Sequence, residues 1–336
     1  MRIIVDTMGS DNGCAEMTRG AVDAVSAFDV DITLVGDKKI MEPIVAASGV
    51  SNRVDIVDAP VYITMEDDHY VVRSEKSDSS MVVAMKLLAS GEGDAVVTAG
   101  STGAAIAAAT LYVKRIKGIR RAALAPTLPF GPNGVILIDC GANAECTSEY
   151  LLQFAYMGSF YAKNIFNNPS PAVGLLNIGA EHTKGDPLRR ETYELLCEAK
   201  RKGLLNFVGN IEGRDIPFGA ADVVVSDGFS GNVLLKSMEG IGLFFAGELK
   251  RILTSGIGGK LGGLLVKKNV APIKKKLNYK EIGGSPLIGI AGPVIKAHGS
   301  ADAFTMRNAI SQAKKYAQSR TIDAIAENIE HMKMPE

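Results

Sequence analysis

Residues 135–178 read VILIDCGANAECTSEYLLQFAYMGSFYAKNIFNNPSPAVGLLNI. The stretch opens on the aliphatic run Val135 to Ile138 and closes on a second apolar run, Val173 to Ile178. Between them Leu151, Phe154, Ala155, Gly158, Ala162 and Ile165 recur at about i, i+3, i+4 and i+7, the spacing of one apolar stripe along a helix. Short runs without polar alternation are the mark of strands buried on both faces, as parallel strands are when helices cover them. The same grammar extends outward to Ile3 to Val5, Ile32 to Val35, Val54 to Val57, Ala95 to Val97 and Val223 to Val225. The class is therefore α/β, and one doubly wound, mostly parallel sheet is the simplest arrangement.

A chain of 336 residues, 46% hydrophobic and 22% charged, is long enough to bury about three quarters of the surface its unfolded form exposes. No internal repeat or obvious linker divides it before about residue 250, so residues 1–336 are expected to form a single catalytic unit. The pattern changes after the helix that carries Leu234 to Leu253. Residues 252–280 interleave glycines with apolar residues and then gather lysines, which reads as a segment protruding from the core. From about Asp302 to Met332 helix formers dominate, and one long closing helix is expected.

Charge excludes one class of partner. Lys plus Arg equals Asp plus Glu at 37 each, so no overall field favours a polyanion and no nucleic acid is expected. Cys14, Cys140, Cys146 and Cys197 show no metal-binding spacing and read as reduced thiols. The N-terminus enters a strand directly, and no apolar run reaches membrane-spanning length. A cytoplasmic protein is expected, at most peripheral on the inner face of the cell membrane.

In parallel α/β sheets ligands sit beyond the carboxyl ends of the strands, where glycine-rich turns open helices. Five such turns stand out: residues 6–13, 100–103, 139–143, 179–185 and 227–232. Glycine lets the backbone approach an anion, and a helix start offers free N–H groups, so five at one sheet edge suggest a phosphate site. The nucleotide signatures GxGxxG and GxxxxGK[ST] are missing at the places they would need to occupy, as is the GxSxG elbow of serine nucleophiles. The nucleophile is then expected to belong to the substrate. His69, His182, His298 and His331 are scattered, with His182 the best placed and a structural or surface role the better guess for each.

The stretches TAGSTGA, RAALAPTLP, DCGAN, VGLLNIGAEHTKG, DVVVSDGFSGNVLLKSMEG, GGSPLIG and GPVIKAHGS, taken in order, resemble the bacterial phosphate acyltransferase family across nearly the whole chain. The resemblance implies transfer of a fatty acyl group from acyl carrier protein to inorganic phosphate, giving the acyl phosphate of phospholipid synthesis. It further implies a homodimer, no metal or organic cofactor, and a Rossmann-like fold related to phosphate acetyltransferases and the isocitrate dehydrogenase group. In the opening loop Asn12 stands where the family usually has a histidine, so a titrating role there is in doubt while a hydrogen-bonding one is open.

That chemistry suits the residues. Phosphate is already nucleophilic, so the enzyme needs to hold it, aim it at a thioester carbonyl and stabilise the oxyanion. Lys184, in a glycine-flanked loop, and Asn232, after Asp227-Gly228-Phe229-Ser230-Gly231, are the candidates for that work. A solvated loop lysine and a helix cap are the plainer alternatives. Ser101 and Thr102 are candidate hydroxyl donors to phosphate, Asn143 a donor near the thioester, and Gly228 and Gly231 candidate substrate-binding positions in the turn whose N–H groups hold oxygens. Asp6 and Asp227 end strands, where a carboxylate orients donors; Asp227 joins the site on that ground.

Two surfaces have partner character. Lys114, Arg115, Lys117, Arg120 and Arg121 cluster at a helix end, a docking patch for the acidic carrier or a run made favourable by the helix dipole. Leu261, Leu264 and Leu265 beside clustered lysines make an interfacial pattern, suited to handing acyl phosphate to a membrane glycerol-phosphate acyltransferase, or else to a dimer contact. Two other readings stay open: a coenzyme A-dependent phosphotransacetylase, and a non-catalytic regulator of lipid synthesis.

Overall fold

The computed structural model describes residues 1–258, 260, 262, 263, 265, 266, 268, 269 and 281–334. Each apolar run quoted above forms a strand: β1 (Arg2–Asp6), β2 (Asp31–Gly36), β3 (Val54–Asp58), β4 (Ala95–Thr98), β7 (Val135–Ile138), β8 (Ala172–Leu176) and β10 (Val223–Val225). Five more lack a strong pattern. β5 (Ala123–Leu124) and β6 (Thr127–Leu128) are two residues long, β9 (Asn206–Ile211) is partly polar, and β11 (Gly284–Ile288) contains Pro286; β12 (Val294–Ala297) includes Lys296.

The expectation of one sheet is corrected. The strands divide into a seven-stranded sheet, β3-β2-β1-β4-β12-β11-β5, and a five-stranded sheet, β6-β7-β10-β8-β9. Both are mostly parallel, with β11 and β6 running against their neighbours. Apolar periodicity reports that a strand is buried but not which strand it joins, so the division was invisible before the fold.

A continuous core joins the two sheets. Ile3, Val5 and Ile32 of the first belong to the same buried cluster as Ile136, Val173 and Val225 of the second. Helix α5 (Ser148–Phe166) carries the expected stripe: Leu151, Phe154, Ala155, Gly158 and Ala162 are buried, and the helix packs on β7, β8 and β10. Gly158 is small for a reason, since a Cβ there would lie 2.6 Å from Val223 Cγ1.

Six further helices follow: α1 (Gly13–Phe28), α2 (Lys38–Ala46), α3 (Ser80–Ala89), α4 (Thr102–Ala108), α6 (Pro187–Arg201) and α7 (Gly228–Thr254), the last buried only at Gly228 and Gly231. The closing helix is broken, contrary to expectation. Ala303–Gln318 stops at Ser319, Arg320 turns left-handed at φ 54°, and Thr321–Glu327 starts afresh before a 3-10 turn at Ile329–Met332. Ser319 Oγ supports that break, donating to Tyr316 O at 2.8 Å and accepting from Thr321 N at 3.3 Å.

Candidate active site

The five glycine turns do not share one edge; they are split between two. Residues 6–13 and 100–103 follow β1 and β4 of the larger sheet, while 139–143, 179–185 and 227–232 follow β7, β8 and β10 of the smaller. Between them lies a cleft of about 540 Å³. Asp11, Thr102, Lys296 and His298 line it from one side, and Cys140, Gly141, Asn232 and Lys236 from the other.

The smaller sheet's side is held by two carboxylates. Asp139 is buried and accepts from Leu124 N at 2.9 Å, Asn143 N at 2.6 Å and Asn143 Nδ2 at 3.0 Å. Burial raises its pKa despite those donors. Asp227 caps α7, accepting from Ser230 N and Ser230 Oγ, each at 2.8 Å, and pairs with Arg189 of α6. Burial opposes its ionisation, but the Ser230 donors and the Arg189 guanidinium outweigh it and hold the carboxyl below its usual range.

The helix start is pressed onto these groups. A Cβ at Gly228 would fall 2.6 Å from Asn143 O, and one at Gly231 would fall 2.0 Å from Asp139 O. The two glycines are thus required by close packing. That contact sets the first turn of α7 against the β7 turn, and Asn232 emerges beside Gly141. The helix cap is Asp227, so Asn232, the exposed fifth residue of α7, lines the cleft rather than capping the helix.

The larger sheet's side carries charge. Asp6, at the end of β1, accepts from Ser80 Oγ and Thr98 Oγ1, both at 2.7 Å, with burial raising its pKa against those bonds. Those bonds fix the two hydroxyls at the strand end. Lys296 on β12 sits opposite Thr98 of β4 in the parallel register. Its Nζ donates to Ala99 O at 3.4 Å and to Ala297 O. His298 Nδ1 lies 2.8 Å from Ser300 Oγ and its Nε2 3.2 Å from Lys236 Nζ, so the ring bridges the two sides of the cleft. Burial, then Lys236, lowers its pKa. Asn12 donates to Ser300 O at 3.1 Å and Ala301 O at 2.9 Å, tying the opening loop to the turn after β12.

Two groups that could rival a substrate nucleophile are disarmed. Cys140 lines the cleft, but burial and then Asp139 push its thiol far up. Burial pushes Cys146 up to about 12. At neutral pH neither supplies a thiolate in useful amount.

The candidate residues thus separate. Asn232 and Thr102 line the cleft, and Ser101 precedes Thr102 at the start of α4 without a side-chain capping bond. Asn143 is engaged by Ala122 O at 2.8 Å and by Asp139, which makes it a brace for the turn. Asp227 is likewise engaged. Lys184 is exposed on the loop after β8, where its N donates to Glu181 O at 3.1 Å, and it is not among the residues lining the cleft. His182 is also exposed, its ring 6.5 Å from that of Tyr193.

Lys236, Lys296, His298 and Arg189 were missed. Lys236 had a signal, because it lies one helical turn beyond Asn232 and shares its face. Lys296 and His298 alternate across one strand end before Gly299, a pattern legible only once β12 is known to be central.

The basic patch is exposed at Lys114, Arg115, Lys117, Arg120 and Arg121. Glu149 pairs with Arg120 at 2.8 Å, raising that guanidinium's pKa, and Arg121 lies over Tyr150 at 5.6 Å. Leu265 is 84% exposed and Ile257 80%, whereas Leu261 and Leu264 lie outside the described residues. Among the described residues no helix is long and apolar enough to cross a membrane.

Residues 1–323 match the family model described as "Fatty acid synthesis protein". A phosphate acyltransferase of Thermoanaerobacter pseudethanolicus is 43% identical over 333 residues, covering 99% of this chain and 98% of that protein. One from Streptococcus pneumoniae is 44% identical over 324 residues, covering 96% of each. Among solved structures, EutD phosphotransacetylase from Staphylococcus aureus superposes with a TM-score of 0.58 at 16% identity, over 94% of each chain. A branched-chain phosphotransacylase from Enterococcus faecalis gives 0.60 at 13% identity, over 95% of this chain and all of that one (100%). These structural likenesses speak to the fold. With near-complete coverage by both the family model and the curated relatives, the chain belongs to the phosphate acyltransferase family.

Proposed function

We propose that the cleft transfers a long-chain fatty acyl group from acyl carrier protein to inorganic phosphate, releasing the acyl phosphate used in phospholipid synthesis. The observation that carries this reading is that one cleft is lined by both charged or polar groups and a set of large apolar side chains. Asn232, Lys236, Lys296 and Thr102 gather donors and charge, while Leu128, Phe130, Leu235, Met238 and Leu243 offer an apolar wall. An anion and an acyl chain need such neighbours. An acetyl donor would have little use for the wall.

In this reading a phosphate oxygen attacks the thioester carbonyl, a C–O bond forms, and the carbonyl oxygen takes the negative charge. Collapse breaks the C–S bond, and the carrier's sulfur leaves and takes up a proton. Asn232 donates to the oxyanion, Thr102 and Ser101 donate to phosphate, and Gly228 and Gly231 hold the backbone that presents Asn232. Lys184, exposed on the loop after β8 and outside the cleft lining, is given no part in this step. Asn143 and Asp227 act through the turns they brace.

The same proposal extends to partners. Lys114, Arg115, Lys117 and Arg121 receive the acidic carrier, and Arg120 contributes less because Glu149 already pairs with it. The chain works as a homodimer, and Leu265 with its neighbours in residues 252–280 touches the membrane surface, where a glycerol-phosphate acyltransferase takes the product. The exposure of Leu265 and Ile257 supports that contact.

The test incubates the protein with palmitoyl acyl carrier protein, with and without phosphate. Holo-carrier and a hydroxylamine-trappable acyl phosphate should appear only when phosphate is added. Faster turnover of acetyl-coenzyme A would favour the small-acyl reading, and no product from either donor would remove both.

A further inference from the structure

Among the described residues, Lys296 is the only lysine or arginine in the buried interior. An ammonium group out of water is costly unless an opposite charge or good acceptors surround it. Among the described residues its hydrogen-bond acceptors are two backbone carbonyls, those of Ala99 and Ala297. The carboxylate of Asp6 spends its oxygens on Ser80, Thr98 and the N–H of Met8. Among the described residues the charge is therefore incompletely compensated, and it lines the cleft. Its position between β4 and β11 in the sheet makes it rigid, unlike the exposed Lys184.

We propose that Lys296 is the cation inside the cleft that contacts the phosphate nucleophile, with Lys236 on α7 supplying the second positive charge across from it. This rests on the acyl-transfer reading and adds to it a residue that neither composition nor turn chemistry pointed to. Lys236 is held at 2.8 Å by Glu239, which leaves Lys296 as the less neutralised of the two. Burial lowers the Lys296 pKa to about 8, with Asp6 and Asp11 pulling upward and Lys236 downward. A bound dianion would hold the proton on.

Equilibrium dialysis of radiolabelled inorganic phosphate, without acyl donor, reads the site directly. Lys296→Met and Lys296→Gln should each weaken phosphate binding by about 10- to 100-fold, the usual worth of a charge-assisted hydrogen bond. Melting curves identify folded variants, and ethylammonium added to Lys296→Ala should restore part of the binding, which a purely structural lysine would not allow. Wild-type affinity should fall as pH rises through about 8, and the folded variants should lack that step. Among the described residues the other charged or histidine groups facing Lys296 are Asp6, Asp11, Lys236, Glu239 and His298, so the variants' profiles are the control. Should no variant fold, a wild-type affinity that is level across that window overturns the proposal by itself. Binding within twofold of wild type in the folded variants also overturns it, even if acyl phosphate is formed. Phosphate binding that depends on Lys296 without acyl phosphate formation upholds the site and sinks the acyl-transfer reading instead.

Discussion

The two sheet edges that face the cleft are built in opposite ways. At the β7–β10 edge the two strand-end carboxylates are engaged: Asp139 by the turn that follows it, Asp227 by Ser230 and Arg189. Glycines there are set by contacts at 2.0 and 2.6 Å, so the edge is a close-packed mount for Asn232. The β1–β4–β12 edge differs in its charge rather than its packing. Asp6 is satisfied by hydroxyls, while Lys296 retains charge that the protein only partly answers. One edge positions and the other binds.

Breaking the mount should have the largest effect. Gly231→Ala would drive a methyl group to within 2.0 Å of Asp139 O, so a loss of about 3 kcal/mol in urea unfolding and loss of acyl transfer are expected. Asn232→Ala keeps the mount and removes only the donor. Its kcat should fall by about 10²- to 10³-fold with an unchanged unfolding midpoint, and a shifted midpoint would place Asn232 with the scaffold instead.

Asp227→Ala should cost about 1 to 2 kcal/mol through loss of the α7 cap, with a further contribution from the stranded Arg189. The folded carboxyl is held below its usual value, so its stabilising contribution is fully present above about 3.9 and disappears as pH falls through the lower, folded value. Acid titration of wild type and variant should therefore converge at low pH. Divergence there would mean that the pair does not act through ionisation.

Smaller effects sharpen the contrast on the outer surface. Lys114→Glu with Arg115→Glu should raise the apparent Michaelis constant for acyl carrier protein several-fold and leave that for phosphate alone. Arg120→Ala should do less, since Glu149 is its partner. Gly240→Ala is the packing control for Gly231→Ala: nothing lies within 4 Å of the added Cβ, and a gain of up to about 1 kcal/mol is expected from helix propensity.

Local pattern carried much of the way. The buried strands β1, β4, β7 and β10, the α5 stripe and the glycine turns follow from side-chain periodicity and backbone freedom, both properties of neighbouring residues. Asn232 was legible for the same reason, standing at a turn-to-helix junction. What only tertiary structure decided was which turns meet. Tertiary placement left Lys184 outside the cleft lining, engaged Asn143 and Asp227 as braces, and brought Lys296 and His298 opposite Asn232 and Lys236. Charge neutralisation and desolvation act through space between residues distant in sequence, so no local reading of β12, with its lysine inside an apolar run, could assign that lysine a role before its neighbours were in place.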